Sequence, residues 1–344
     1  MIMQNELKWL EAIAPDMVDV FLKRFSVLRT IALMAPIGRR GLSVHLNMSE
    51  RGLRTHTDML RQLDLIQSSP AGMTLTREGR LVLEGLNDMV NDMLGLQQSE
   101  RDLAMLLNID RCFIVSGDCD AQDRVFDSLG GILNDTLAKI LPEGNNVIVV
   151  MGGNTMAQVA KEFSPELSTK RQLTFVPGRG GMGQSLAMQA NTVCAIMAER
   201  THGESQSMYL PEKLSEKSYQ PLLEEPSVQL VLQLIEQSNV VIHGIGRADE
   251  MAERREVDPN ILQLLEQKKA VGEALGCFYN QQGDIVYRVP RIGLQLERIN
   301  SIDHVFAVAG GHTKAQAIRS YMNLAPHQTC LMTDEGAANL ILKK

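Results

Sequence analysis

From residue 111 onward, short apolar runs alternate with helix-length amphipathic segments, and most runs end in a glycine-rich loop. The apolar runs cover 112–116, 146–151, 173–176, 240–243, 305–309 and 329–332, and they predict strands. The segments between them, 122–140, 155–163, 184–199, 260–267, 313–322 and 334–342, predict helices. Such alternation admits few folds. Parallel strands need long crossovers, so the pattern implies an α/β domain with a mostly parallel sheet and helices on both faces. In these sheets ligands bind beyond the carboxyl ends of the strands.

Four loops occupy those ends. VIVVM-GGNT places Gly152, Gly153, Asn154 and Thr155 between a strand and a helix start, where backbone N–H groups favour an anion. LTFVP-GRGGMG supplies Gly178, Arg179, Gly180, Gly181 and Gly183, with a guanidinium suited to gripping phosphate. VVIH-GIGRADE holds Gly244, Gly246 and Asp249, a carboxylate that matches sugar hydroxyls better than phosphate. FAVA-GGHTK sets Gly310, Gly311, His312, Thr313 and Lys314 at a further helix start. Each loop alone reads equally well as a tight turn; the four together describe a pocket for a phosphorylated polyol. Gly178, Gly180 and Gly183 also match G-x-G-x-x-G, the dinucleotide fingerprint. Position disfavours that reading without removing it, because this is not the first strand-to-helix turn and Glu199 does not end a following strand.

The amino-terminal part is different in kind. Between residues 20 and 85 there are ten basic residues, nine arginines and Lys23, against five acidic ones, an excess of +5. The chain as a whole carries −7, so the remainder carries −12. Apolar spacing predicts a helix over 20–35, a short one over 40–46, and a third over 50–63 opened by Ser49 as N-cap. On the third helix Leu53, His56, Leu60 and Leu63 share one face, while Arg51, Arg54, Thr55, Asp58 and Gln62 share the other. Two strand-like stretches around Ser68–Gly72 add a hairpin wing. This is the grammar of a winged helix-turn-helix. Arg51, Arg54 and Thr55 face a major groove in that reading, with Arg39, Arg40 and the wing on the DNA backbone, and Ser49 is counted among the DNA-binding residues. A solvated helical subdomain is the blander alternative, which the coincidence of charge, cap and wing disfavours.

Residues 76–108 read as helical, with Leu83, Leu86, Val90, Met93 and Leu94 forming a stripe that bridges the domains or pairs with a second copy. The expected division is therefore 1–85 for the DNA-binding domain, 86–110 for a helical linker and 111–344 for an effector domain. Five scattered cysteines lack the spacing of a disulfide framework or zinc site, and the histidines lack metal spacing, so no metal or cofactor is expected. The amino terminus has no leader pattern, and no apolar run approaches the ~20 residues of a membrane span. A cytoplasmic protein without a membrane partner is expected.

The amino-terminal segment from RFSVLRT to GMTLT, followed by GGNTM, PGRGGMG, GIGRADE and AGGHTKAQAIRSY, closely resembles the SorC family of sugar-responsive repressors over nearly the whole chain. The resemblance implies a homodimer or homotetramer that binds double-stranded operator DNA of a glycolytic operon and responds to fructose 1,6-bisphosphate or a related sugar phosphate. It also implies an effector domain similar in fold to glucosamine-6-phosphate deaminase and ribose-5-phosphate isomerase. Carried over by motif, Gly152, Gly153, Asn154, Thr155, Arg179, Gly180, Gly181, Gln184, Asp249 and Lys314 line the sugar-phosphate site, with Glu273 placed there by aligned position alone. An enzyme carrying an appended DNA-binding domain is the alternative. The similar deaminases have an Asp-Glu pair and a histidine where this chain has Pro177-Gly178-Arg179 and Asp249-Glu250-Met251. Binding without catalysis is the expectation.

Overall fold

A computed structural model describes residues 9, 12–46, 48–93, 96–181, 185–211 and 216–343. Gly183 and Gln184 lie outside the described residues, so the expected role of Gln184 has no counterpart there. The chain divides into two compact units, Met1–Ser99 and Glu100–Lys344.

The first unit contains helices Pro15–Met34, Arg39–His45, Glu50–Gln62 and Arg77–Met93, with strands β1 (Ile66–Ser69) and β2 (Gly72–Leu75) forming an antiparallel hairpin before the last of these helices. The first helix starts five residues earlier than the apolar spacing predicts. Pro15 opens it, because the fixed φ of proline suits a first turn whose N–H groups have no partner within the helix. Ser49 caps the third helix as expected, its Oγ accepting the Gly52 N–H at 3.2 Å. Ile37 widens the wing by exchanging backbone hydrogen bonds with Met73 at 2.8 and 3.2 Å. Ile31, Leu42, Leu53, Leu60, Ile66 and Met73 form the core, so one apolar cluster ties all three helices to the wing. His56 belongs to this buried face, and burial lowers its pKa.

The second unit is built on a seven-stranded, wholly parallel sheet in the order β3-β13-β12-β7-β4-β5-β6. Its strands are β3 (Arg111–Val115), β4 (Gly144–Val150), β5 (Arg171–Pro177), β6 (Glu204–Ser205), β7 (Val240–Gly244), β12 (His304–Val308) and β13 (Thr329–Asp334). Six of these correspond to the predicted runs; the edge strand β6 is two residues long and carries no periodic signal. Between β7 and β12 the chain makes a second sheet, antiparallel in the order β11-β10-β9-β8. Its strands are β8 (Gly246–Arg247), β9 (Ala270–Ala274), β10 (Cys277–Asn280) and β11 (Ile285–Arg288). This sheet is absent from the sequence expectation. Its β9–β10 turn is Leu275-Gly276, with φ of 51° and 79°, and a leucine at a left-handed position is not a hairpin signal.

Helical bounds also shift. Residues 155–163 become the helix Asn154–Val159 and a 3-10 turn, and the segment beginning at 184 becomes a 3-10 turn, Leu186–Met188, followed by the helix Ala190–Thr201. Lys314 falls in a 3-10 turn, His312–Lys314, ahead of the helix Ala315–Tyr321. Helices Glu216–Glu224 and Pro226–Glu236 were not predicted. The main core joins Ile148, Phe175, Ile242, Phe306 and Met332 of the sheet to Leu129, Leu133 and Leu137 of helix Val125–Ile140 and to Val193 and Met197. Each such side chain contributes about 1.5–3 kcal/mol by leaving water.

Carboxylates stitch the loops at the carboxyl end of the sheet. Asp334, fully buried at the end of β13, accepts the Cys119 N–H at 2.6 Å and the Gly311 N–H at 2.7 Å through one oxygen, and caps the final helix through the other. Desolvation raises its pKa. The loop after β3 reaches the loop after β12 as well. His312 Nδ1 lies 2.7 Å from Asp118 and 3.2 Å from Asp120, and Asp120 accepts the Thr313 N–H at 2.8 Å.

Two outcomes follow from these contacts. Ser49→Ala removes the cap and is expected to destabilise the amino-terminal unit by about 1 kcal/mol in thermal or denaturant unfolding. His312 has its pKa raised above 6.5, first by the hydrogen bond to Asp118 and then by the charges of Asp118 and Asp120. The protonated form therefore favours the folded state. That stabilisation is complete below the unfolded value of 6.5 and is lost as pH rises through the higher folded value. The thermal midpoint should fall through that window in the parent protein, and His312→Gln should flatten the fall; an unchanged slope in the variant would refute the clasp.

Candidate functional site

The sheet reverses its winding between β4 and β7. The chain moves from β4 outward to β5 and β6, then returns and runs from β7 outward to β12 and β13. A crevice opens where neighbouring crossovers diverge in this way. A cavity of about 310 Å³ lies there, lined by the loops that follow β3, β4, β5, β7 and β12, by one face of helix Ala248–Arg254, and by the β9–β10 hairpin.

The structure brings most of the expected residues together. Gly152, Gly153, Asn154, Thr155, Arg179, Glu273 and Lys314 all line the cavity. Arg179 is buried against the Gly152 loop, and a Cβ on Gly152 would sit 3.1 Å from its Nη2. Glycine is required there mainly by backbone, since the same Cβ would lie 2.4 Å from the Met188 carbonyl oxygen and 2.8 Å from the Ala190 nitrogen. The Gly153 N–H is engaged, however, donating to the Met188 carbonyl at 2.9 Å. It is therefore not part of an open anion cradle in this conformation. Desolvation lowers the pKa of Lys314, and the nearby charges of Glu250 and Asp120 oppose that shift.

Three expected residues are placed elsewhere. Asp249 is exposed and lies outside the lining, because Arg247 holds its carboxylate through two nitrogens and the first turn of its own helix donates the Glu250 N–H at 2.9 Å. Glu250, the next residue, lines the cavity instead. Gly180 and Gly181 also lie outside the lining. The Gly181 N–H donates to Leu210 at 2.7 Å, so this part of the loop pairs with the segment before residue 211.

Sequence reasoning missed Asp120, Arg254 and Arg255, which also line the cavity. The arginines had a usable signal. Glu250, Met251, Arg254 and Arg255 stand at i, i+1, i+4 and i+5, one face of a helix that follows a glycine-rich loop. Arg255 and Glu273 form a buried pair at 3.0 Å, and Glu273 also accepts the Gly276 N–H at 2.6 Å. Cys119 lines the site, but burial and the adjacent Asp334 push its thiol far above the ordinary range, so it is no thiolate nucleophile. His312, which the sequence leaves without a partner carboxylate, has two, yet it is exposed and outside the lining. Among the described residues, Asp118, Asp120 and His312 are the group of metal-ligating types that comes together, and hydrogen bonds within it account for its geometry. The arrangement as a whole can hold an anionic, hydroxylated ligand: separate elements present Arg179, Arg254 and Lys314, and Glu250 and Glu273 offer acceptors for hydroxyl groups.

In the first unit, Arg39, Arg40, Ser49, Arg51, Arg54 and Thr55 are all exposed. Asp58 gathers three arginines, lying 2.7 Å from Arg61, 3.6 Å from Arg54 and 4.0 Å from Arg39. Exposed pairs of this kind contribute little, so the guanidinium groups can exchange the carboxylate for phosphate or base edges.

Residues 20–90 match the family described as the CggR N-terminal DNA binding domain, and residues 91–343 match the "Putative sugar-binding domain" family. The chain is 41% identical over 329 residues to the central glycolytic genes regulator of Bacillus subtilis, covering 96% of each. It is 25% identical over 299 residues to the transcriptional regulator LsrR of Escherichia coli, covering 80% of this chain and 88% of that one. Among solved structures, a SorC family transcriptional regulator from Enterococcus faecalis is similar with TM-score 0.69 and 48% identity, over 72% of this chain and 100% of that one. The full-length sorbitol operon regulator SorC of Klebsiella pneumoniae shares the fold with TM-score 0.65 at 15% identity, over 89% of this chain and 94% of its own. With a winged DNA-binding unit, a ligand cavity at the switch point of a parallel sheet and these relatives, the chain belongs to the SorC family of sugar-binding transcriptional regulators.

Proposed function

We propose that this protein is a repressor of glycolytic genes that binds operator DNA through its winged unit and is controlled by a phosphorylated sugar, fructose 1,6-bisphosphate. The name of the Bacillus subtilis relative supports the regulon. The observation that carries the ligand is the cavity itself. Its cations come from three different elements, Arg179 after β5, Arg254 from a helix and Lys314 after β12, which suits a ligand with more than one anionic group. Glu250 and Glu273 suit the hydroxyl groups between them. Binding without turnover is part of this reading, supported by the sequence, where Pro177-Gly178-Arg179 and Asp249-Glu250-Met251 stand in place of the Asp-Glu pair and the histidine of the similar deaminases. The working form is a cytoplasmic homodimer or homotetramer, since two half-sites need two readers.

The control is a shift of population. A ligand alters operator affinity only to the extent that it binds the DNA-competent and DNA-incompetent states unequally, typically by about 1–3 kcal/mol. A mobility-shift assay on DNA upstream of the protein's own gene, with and without fructose 1,6-bisphosphate, tests both halves; absence of a shift, or a shift indifferent to the sugar, counts against the reading.

Arg179→Ala and Lys314→Ala should each weaken sugar bisphosphate binding by roughly 10- to 100-fold in calorimetry while leaving operator binding intact. Normal induction in the Lys314 variant would remove that residue from the site. On the DNA side, Arg54→Ala should cost about 1–3 kcal/mol and relax selectivity at one base pair. Arg40→Ala should weaken all sequences alike and reduce the salt slope of binding by about one; equal slopes in variant and parent would exclude its phosphate contact.

A further inference from the structure

Arg291 is 3% exposed and lies in the connection after β11, outside the cavity. Its guanidinium donates to carbonyls of three separate segments: Nη1 to Gly178 at 3.3 Å, and Nη2 to Leu294 at 2.6 Å and to Leu275. Gly178 directly precedes Arg179, and Leu275 lines the cavity at the tip of the β9–β10 hairpin. The backbone repeats the link. Leu294 N–H donates to Gly178 at 2.9 Å, and Arg179 forms a bridge with Gly293. At the tip, Gly276 has φ of 79°, and a Cβ there would lie 2.3 Å from Arg291 Nε. Its N–H is held by Glu273, which in turn holds Arg255.

We propose that Arg291 is a positioning residue that locks the Arg179 loop of the parallel sheet to the Leu275–Gly276 tip of the antiparallel sheet. The two walls of the cavity, one presenting Arg179 and the other Glu273, then move as one body. This rests on the sugar-phosphate reading of the cavity. A planar guanidinium has the donors in fixed directions to serve three carbonyls at once, whereas an ammonium is a single point. Arg291 lies outside the cavity lining and acts by fixing where Arg179 stands relative to the Glu273 wall, so its loss should matter only while Arg179 is there to be positioned.

The test is calorimetry of the full chain with fructose 1,6-bisphosphate, on the parent and on Arg291→Met, Arg291→Lys, Gly276→Ala, Arg179→Ala and the double variant Arg179→Ala/Arg291→Met. Arg291→Met and Arg291→Lys are expected to weaken binding by about tenfold or more, and in the Arg179→Ala background Arg291→Met should change affinity by less than about twofold. Operator binding without sugar should not change in Arg291→Met, Arg291→Lys or Gly276→Ala. Equal losses in both backgrounds, or unchanged affinity in the single variants, overturn the proposal. If Arg291→Met fails to fold, as its thermal midpoint would reveal, Arg291→Lys and Gly276→Ala decide it, because both keep a buried cation. Absence of binding by the parent overturns the sugar-phosphate reading and this inference together; binding by the parent with Arg291 indifferent overturns this inference alone.

Discussion

All seven strands of the main sheet run in one direction, and the ligand site depends on that constraint. A parallel pair cannot be joined by a tight turn, so each strand must be followed by a crossover, and every crossover leaves from the same edge. The loops after β3, β4, β5, β7 and β12 are thereby gathered at one end although they are spread over some 200 positions of sequence. Winding in opposite directions from β4 and β7 then leaves a gap among them. The cavity is a consequence of strand direction before any particular side chain is considered.

Charge inside the cavity is balanced with little surplus. Arg179, Arg254, Arg255 and Lys314 face Asp120, Asp123, Glu250 and Glu273. Burying such groups is costly unless they are paired or bonded, and the Arg255–Glu273 pair shows how the cost is offset, with a backbone N–H completing the carboxylate. A ligand that is anionic at some points and hydroxylated at others satisfies both signs. A simple anion does not. The amino-terminal unit uses a related device at its surface, where Asp58 holds three guanidinium groups in solvent and keeps their charge exchangeable.

Much of this was legible in the chain. Leu53, His56 and Leu60 at helical spacing placed the third helix and its buried face, and Ser49 marked its start, because capping and amphipathic burial are local rules. The glycine loops located the cavity, because their positions after apolar strands follow from chain order. Side-chain direction was another matter. Asp249 and Glu250 are adjacent and both reach Arg247, yet only the second lines the cavity. The Met188 carbonyl occupying the Gly153 N–H comes from a segment 35 positions away, which no motif announces.

Local patterns that repeat every two or 3.6 residues, together with the uneven distribution of arginine, determined the winged unit, the parallel sheet and the glycine-rich loops that border the cavity. Only the tertiary structure decided that the antiparallel sheet β8–β11 supplies a wall of the cavity, that Arg254 and Arg255 join it, and that Arg291 ties that wall to Arg179. Those outcomes rest on contacts between residues far apart in sequence. Such contacts are set by which surfaces pack against each other once the sheet has formed, and periodicity along the chain carries no record of them.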